Sequence, residues 1–368
     1  MRGVLQILPA GHGCLRSATS DYNPEPADPR VPRELIEKLA LEAGLEVEGM
    51  ASPAPHPNQA PWVAEVLRLN GLEPEAWGRH VPFKNLTAED PTERIRLELE
   101  ASELSTRVVD LIAPIGKGQR CLIVAPPKAG KTVLLQKLAR SITTNHPEIH
   151  LIVLLVDERP EEVTDMRRTV RGEVVASSSD ELARQHVQVA EIVLERAKRL
   201  VETGRDVVVL LDSITRLSRA YNNEQRSSGR VLSGGIDART MEKPRRFFGA
   251  ARKVSGAPGS LTVIGTALVD TGSRMDEVIF QEFKGTGNTE IVMDRAMFER
   301  RIFPAIDISQ TGTRKEEKLY EAQEYKQVTL LRRALASLRP AEAMQLLVER
   351  LGKTQSNKQF LETLLQSV

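Results

Sequence analysis

Apolar and polar positions follow two different textures along this chain. Up to about residue 85 the apolar runs are short, covering residues 4–8, 14–17, 45–50 and 62–69, with Gly and Pro between them. One helix is predicted among them over residues 32–40, with Pro32 near its start and Gly44 beyond its end. Five-stranded oligonucleotide-binding (OB-fold) barrels have this rhythm. A charged connector over residues 86–103 follows. Beyond it, longer apolar runs recur at residues 120–124, 150–157, 173–177, 206–212 and 260–269, with helical periods between most of them. The clearest helix is predicted over residues 181–203, where Val189, Val193, Ala197 and Leu200 share one face. Ser178 and Glu181 are expected to form its capping box, and Gly204 to end it. Buried strands alternating with helices predict an α/β unit, residues 104–368, built on a parallel sheet covered on both faces.

A chain of 368 residues has room for these two units, since one core rarely serves more than about 250–300 residues. Net charge is +1, which neither demands nor excludes a nucleic-acid partner. The only cysteines, Cys14 and Cys121, belong to no C-x-x-C pair, which argues against a disulfide framework or a zinc site. No apolar run approaches the ~18 residues of a membrane helix. Gly3, Pro9, Gly11 and Gly13 interrupt any signal-peptide core. The expectation is a reduced, cytoplasmic protein with no membrane partner.

The chemistry begins at residues 125–132, Ala-Pro-Pro-Lys-Ala-Gly-Lys-Thr, which follow the first buried strand and open a helix. This is a phosphate-binding P-loop with Ala125 in place of the first glycine. Gly130 lets consecutive N–H groups face the phosphates, and the helix N-terminus adds positive potential. Lys131 reaches the outer phosphates, and the Thr132 hydroxyl suits a magnesium ligand. An apolar strand ending in Asp212 supplies the second metal-side acid. Another ends in Asp157-Glu158-Arg159-Pro160, which puts Glu158 at the same sheet edge as Lys131. Position alone leaves Glu158 either as the group that activates water or as one of several acids at a helix start.

Longer motifs then occur in order: residues 157–163 (Asp-Glu-Arg-Pro-Glu-Glu-Val), 211–216 (Leu-Asp-Ser-Ile-Thr-Arg), 247–252, 270–276, 283–288 (Phe-Lys-Gly-Thr-Gly-Asn), and 303–307 with 312–316. From residue 104 to about 340 the chain resembles the bacterial transcription termination factor Rho family. The resemblance implies a RecA-like core in a homohexameric ring that hydrolyses ATP with Mg2+, moves along single-stranded RNA and unwinds it. RNA polymerase and elongation factors are implied as further partners. Glu158 becomes the catalytic base, with Lys131, Arg314 and Asp212 as its catalytic companions. Lys128, Ala129, Gly130, Lys131, Thr132 and Val133 would surround phosphate, with Thr132 and Asp212 on the metal. The stretch Gly116, Lys117, Gly118, Gln119, Arg120 and Cys121 would also line the nucleotide pocket. Phe303 would stack on adenine, with Arg159 and Arg301 near the phosphates, and Arg314 would be the arginine finger from a neighbouring subunit.

Two loops match the family's pore loops: Arg230, Val231, Leu232, Ser233, Gly234, Gly235 and Ile236 in the first, and residues 270–274 ending at Arg274 in the second. The family's lysines are arginines here. The amino-terminal unit resembles the family's cold-shock-like RNA-binding barrel, with contacts implied at Gly11, His12, Gly13, Cys14, Leu15 and Arg16. Asp28, Pro29, Arg30, Ala60, Pro61 and Trp62 complete that set. The family's Phe-Gly-Phe is His12-Gly13-Cys14, another aromatic position is Arg30, and Trp62 keeps the third. Trp77 is expected in the core. Eight basic and eleven acidic residues give this unit a net charge of −3, so weak or altered RNA binding is predicted. The competing readings are a different ring ATPase, either a rotary ATP synthase subunit or a repurposed member of this family, and a non-catalytic RNA-bound partner. The intact Lys131, Thr132, Glu158, Asp212 and Arg314 weigh against the second.

Overall fold

Short strands broken by Gly and Pro close on themselves at the amino end. The computed structural model describes residues 1–52, 60–224, 235, 239–256 and 258–365. In it β1 (Arg2–Ile7), β2 (Gly13–Arg16), β3 (Arg30–Val31), β4 (Glu46–Ser52) and β5 (Trp62–Leu69) form a closed barrel in the order β1-β2-β3-β5-β4. Leu5, Leu15, Val47, Val63 and Leu69 fill it, and α1 (Arg33–Lys38) adds Ile36. From α2 (Pro74–Trp77) comes Trp77, buried as the sequence predicted.

The connector is laced into the second unit. Its strand β6 (Ala88–Glu89) pairs with β13 (Arg252–Val254), and β7 (Arg94–Ile95) pairs with β8 (Ile115–Gly116). Beyond it stands a sheet of six parallel strands. In chain order these are β9 (Arg120–Ala125), β10 (His150–Glu158), β11 (Glu173–Ser178), β12 (Asp206–Asp212), β14 (Ser260–Leu268) and β15 (Thr289–Val292). In space they run β11-β10-β12-β14-β9-β15, and antiparallel β16 (Gly312–Thr313) extends the far side.

Successive side chains of a strand point to opposite faces, and here both faces are apolar. Cys121, Ile123 and Ala125 pack on one side of β9, Leu122 and Val124 on the other. Such strands require cover on both sides. The first face is covered by α3 (Leu104–Ile112), α4 (Lys131–Asn145) and α5 (Pro160–Thr169). The second is covered by α6 (Ala183–Glu202), α7 (Ile214–Glu224), α8 (Glu242–Gly249) and α9 (Arg274–Phe283). After α10 (Arg295–Glu299), helices α11 (Ala322–Leu335), α12 (Pro340–Leu351) and α13 (Asn357–Leu365) return to the first face. Buried Arg107 ties them there, donating to the carbonyls of Leu351 and Thr354 and to the Asn357 side chain.

One local expectation fails. Ser178 does not cap α6, because β11 runs on through it; the Ser178 hydroxyl turns to Asp180 instead. The helix starts at Ala183, where the Gln185 side chain accepts the Leu182 N–H at 2.9 Å.

The barrel is docked on α6. Gly44 lies so close to the helix backbone that a Cβ would meet the Glu195 carbonyl carbon at 2.2 Å. Asn70 Nδ2 donates to the Arg199 carbonyl at 3.0 Å, and the Phe83 N–H to Glu202 at 2.6 Å. Glu173 takes Arg196 at 2.9 Å, His150 at 3.0 Å and the Tyr22 hydroxyl of the barrel. No helix among the described residues is long and apolar enough to cross a membrane.

Candidate functional site

Parallel strands deliver all their carboxyl ends to one edge, so β9, β10 and β12 bring three distant segments together. After β9 the chain turns through Lys128 at φ 61° and Gly130 at φ 89°, then enters α4. Glycine suits that left-handed position, and a Cβ there would already touch the Phe298 ring at 3.3 Å. Lys131 opens the helix, and its Nζ sits 2.6 Å from Asp212 Oδ1 and 3.1 Å from Glu158 Oε1. The Thr266 hydroxyl donates to the same Asp212 oxygen at 2.7 Å.

Two buried carboxylates around one ammonium cannot both be comfortable. Burial pushes the Glu158 carboxyl up to about 7, the Asp212 charge adds to that, and Lys131 and Arg216 only partly oppose it. Burial works against the Lys131 ammonium, but Asp212 and Glu158 outweigh it and hold its pKa above the ordinary value. A carboxyl poised near neutrality beside the lysine of a P-loop sequence has the character of a general base.

Arg216 was not assigned a role from the sequence. Its Nε lies 3.4 Å from Glu158 Oε1, and its Nη1 reaches both the carbonyl and the carboxylate of Asp157. The signal was present: a cation four residues after a strand-end acid, on the helix that strand feeds. One turn further, Arg219 grips Asp276 at 2.5 and 2.8 Å, and Asp276 also accepts the Thr271 hydroxyl at 2.6 Å. Helix α7 therefore touches both the edge that carries Glu158 and α9, the helix that Arg274 opens.

Phe303 is 45 % exposed and stands edge-on to Phe298, 5.4 Å between ring centres, which places it beside the P-loop. Arg159 and Arg301 are exposed. Ala129 is buried and can offer only its backbone, whereas Val133 is exposed. Thr132 and Asp212 are hard oxygen donors on this edge and fit a magnesium ion completed by phosphate and water. Among the described residues no cluster of three or more His, Cys, Asp or Glu side chains is arranged to hold a metal alone.

Residues 116–121 do not join this cluster. They precede and begin β9, so they lie at its amino end, and six residues of strand put roughly 17–20 Å between the two edges. The Cys121 side chain is fully buried and Gln119 nearly so, while Lys117 pairs with Asp206 at 2.7 Å. Arg120 donates to the carbonyls of Thr286 and Ala251. Within one chain these residues cannot line the pocket around Lys131. Arg314 shares their edge: it follows β16, its N–H bonds to the Asn288 carbonyl at 2.8 Å, and its guanidinium is exposed.

On the barrel, β2, β3 and β5 bring three candidate RNA contacts together. The Arg30 guanidinium lies 5.7 Å from the Trp62 ring centre, and His12 is tilted against the same ring at 6.3 Å. Pro29 and Pro61 accept backbone N–H bonds from Leu15 and Arg30. Leu15, Cys14 and Ala60 are buried, as is Gly13. Gly11 adopts φ 88° in the turn before His12. Arg16 is committed internally, paired with the equally buried Asp28 and donating to Gln6 at 2.7 Å. Of the stretch expected to form the first pore loop, Arg230, Val231, Leu232, Ser233, Gly234 and Ile236 lie outside the described residues. Gly235 is exposed, with φ 80°. Arg274 is exposed at the start of α9.

Two family models match the chain. The ATP synthase alpha/beta family nucleotide-binding domain covers residues 105–312, and the Rho termination factor RNA-binding domain covers residues 1–75. Over 366 residues the chain is 52% identical to transcription termination factor Rho of Cereibacter sphaeroides, spanning 98% of this chain and 86% of that one. It is 52% identical over 368 residues to transcription termination factor Rho of Aquifex aeolicus, spanning 99% and 84%. Among solved structures it resembles a prototypical ATPase from the type III secretion system of pathogenic bacteria, with a TM-score of 0.64. That likeness covers 85% of this chain and 93% of the other at 19% identity, and it speaks for the fold alone.

Proposed function

The chain belongs to the transcription termination factor Rho family, and from that premise we propose how its two units make one RNA-driven motor. It is an ATP-hydrolysing enzyme with an RNA-binding domain, and its role is to terminate transcription. In the mechanism we propose, Lys128, Lys131 and the N–H groups around Gly130 bind the phosphates of ATP, and Phe303 stacks on its base. Thr132 and Asp212 would hold Mg2+, which when bound neutralises phosphate charge. Glu158 takes the proton of the attacking water, and Arg159 and Arg301 approach the same phosphates.

The observation that carries this reading is the division of the site between two edges. Lys131, Glu158 and Asp212 meet at one edge of the sheet, and Arg314 stands at the other with residues 116–121. A complete site is then shared by two copies, which supports a ring, and we take it to be a homohexamer. RNA passes from the barrel into the ring, where Arg230 and Arg274 follow its phosphates. We place this activity in the cytoplasm, on transcripts leaving RNA polymerase and its elongation factors. The test is steady-state ATP hydrolysis with and without poly(C). Strong stimulation is expected; hydrolysis indifferent to every RNA tried would overturn the motor.

On the barrel, Arg30 already sits against the Trp62 ring on which a base would stack. A stacked base contributes about 1–3 kcal/mol, so restoring a ring should be measurable. Arg30→Tyr in the full chain is expected to tighten oligo(C) binding by at least about fivefold. Unchanged affinity in a fluorescence titration would show that Arg30 is no obstacle.

A further inference from the structure

We propose that Asp90 is a positioning residue for Arg314: through it the connector from the RNA-binding barrel clamps the arginine-bearing loop at the amino edge of the sheet. This rests on the reading of Arg314 as the group that completes a neighbour's site.

Arg314 is followed by Lys315, whose backbone enters the left-handed region at φ 57°, and then by a short 3-10 turn, Glu316–Lys318. That turn points two ammonium groups at one carboxylate. Lys315 Nζ lies 2.8 Å and Lys318 Nζ 2.7 Å from the same oxygen of Asp90. These bonds hold the Asp90 carboxyl well below its usual range, at about 2, so it stays charged across the working pH.

Apolar contacts seat the two segments on the same point. Next to Asp90 is Pro91, next to Lys318 is Leu319, and the two converge on Gly116. A Cβ on Gly116 would lie 2.7 Å from both Pro91 Cβ and Leu319 Cδ2. A cavity of about 170 Å³ is lined by Asp90, Pro91, Arg120, Arg314, Lys315 and Leu319 among others, so connector and arginine loop share its wall. On its far side the connector is fixed as well: β6 pairs with β13, and Lys253 donates to Thr92 and Glu93 at 2.8 Å. Asp90 is thus the ionic contact between a well-anchored connector and a loop whose arginine must project outward.

Exposed ion pairs add little to the stability of a fold. The work of this one is placement, because a misplaced catalytic group costs rate steeply. It also gives the barrel a path to the neighbour's nucleotide, since the barrel's own chain continues directly into the clamp.

The experiment compares the full-length wild type with Asp90→Asn, with the full charge inversion Asp90→Lys/Lys315→Asp/Lys318→Asp (the swap), and with Arg314→Ala. RNA-stimulated kcat, the KM for ATP and the Kd for RNA are read for each. Asp90→Asn is expected to lower kcat by about 3- to 10-fold, the scale of two exposed ion pairs lost together, with KM and Kd unchanged. The swap is expected to recover most of that loss, which a change of fold would not allow. A normal kcat in Asp90→Asn beside an inactive Arg314→Ala would overturn the clamp and leave the arginine's role standing. An active Arg314→Ala would overturn both. Loss in Asp90→Asn that the swap fails to recover would also sink the clamp.

Discussion

Arg314→Ala is expected to leave ATP binding intact and to reduce RNA-stimulated turnover by roughly 10³-fold or more, the range in which arginine fingers act. The physical reason is distance. In its own chain Arg314 lies on the edge opposite Lys131 and Glu158, and among the described residues its guanidinium makes a 3.5 Å contact to the Gly285 carbonyl. Its planar fork meets two phosphate oxygens in a fixed bidentate geometry as charge develops, which the point charge of a lysine ammonium does not reproduce. Lysine at 314 should therefore recover only a small part of the rate. Mixing gives the decisive measurement. Arg314→Ala and Lys131→Ala should each be inactive alone, and mixed assemblies should regain hydrolysis because some interfaces pair an intact Lys131 with an intact Arg314. Mixtures as inactive as their components would place Arg314 in its own chain's site.

The second large effect belongs to Glu158. Glu158→Gln keeps shape and hydrogen bonding but cannot take a proton, and a loss of about 10²–10⁴ in kcat is expected. Because the carboxyl titrates near 7 in the free protein, kcat/KM should rise with pH through a midpoint near that value. A flat profile from pH 6 to 8 would remove Glu158 as the base. Stability should run the other way. The folded pKa lies above the ordinary 4.5, so the folded state binds the proton more tightly than the unfolded chain. The cost of the charged form then grows as pH rises from about 4.5 and is complete above about 7. Glu158→Gln should accordingly melt above wild type at pH 8, with the gap closing towards pH 5.

Much of this was legible in the sequence because buried parallel strands are apolar on every residue. Leu211 and Asp212 needed only the strand before them to be placed, and Trp62–Leu69 and Asp206–Asp212 were read to the residue. What was hidden depends on pairing. The two-residue strands β6 and β7 have no period to detect, so the connector read as a charged linker, although its partners weave it into the core. Ser178 looked like a cap because nothing local says that β11 continues through it. Residues 116–121 stand close to the P-loop in sequence, and only the length of β9 separates them from it. Arg216 was visible as a charge, but its meaning came from the fold that brought Asp157 and Glu158 against it.

Lys131 and Arg314 stand on opposite edges of one sheet, so copies that meet through them meet through unlike surfaces. Such a head-to-tail contact has no two-fold axis, and a pair always leaves one half-site unfilled at each end. Every added copy fills one and exposes another. The only assemblies in which no half-site is left over are those that curve back onto their first member, and the alternative is an open filament. On the proposed reading of Arg314, how far each copy rotates on the last is as much a catalytic property of this chain as any of its side chains.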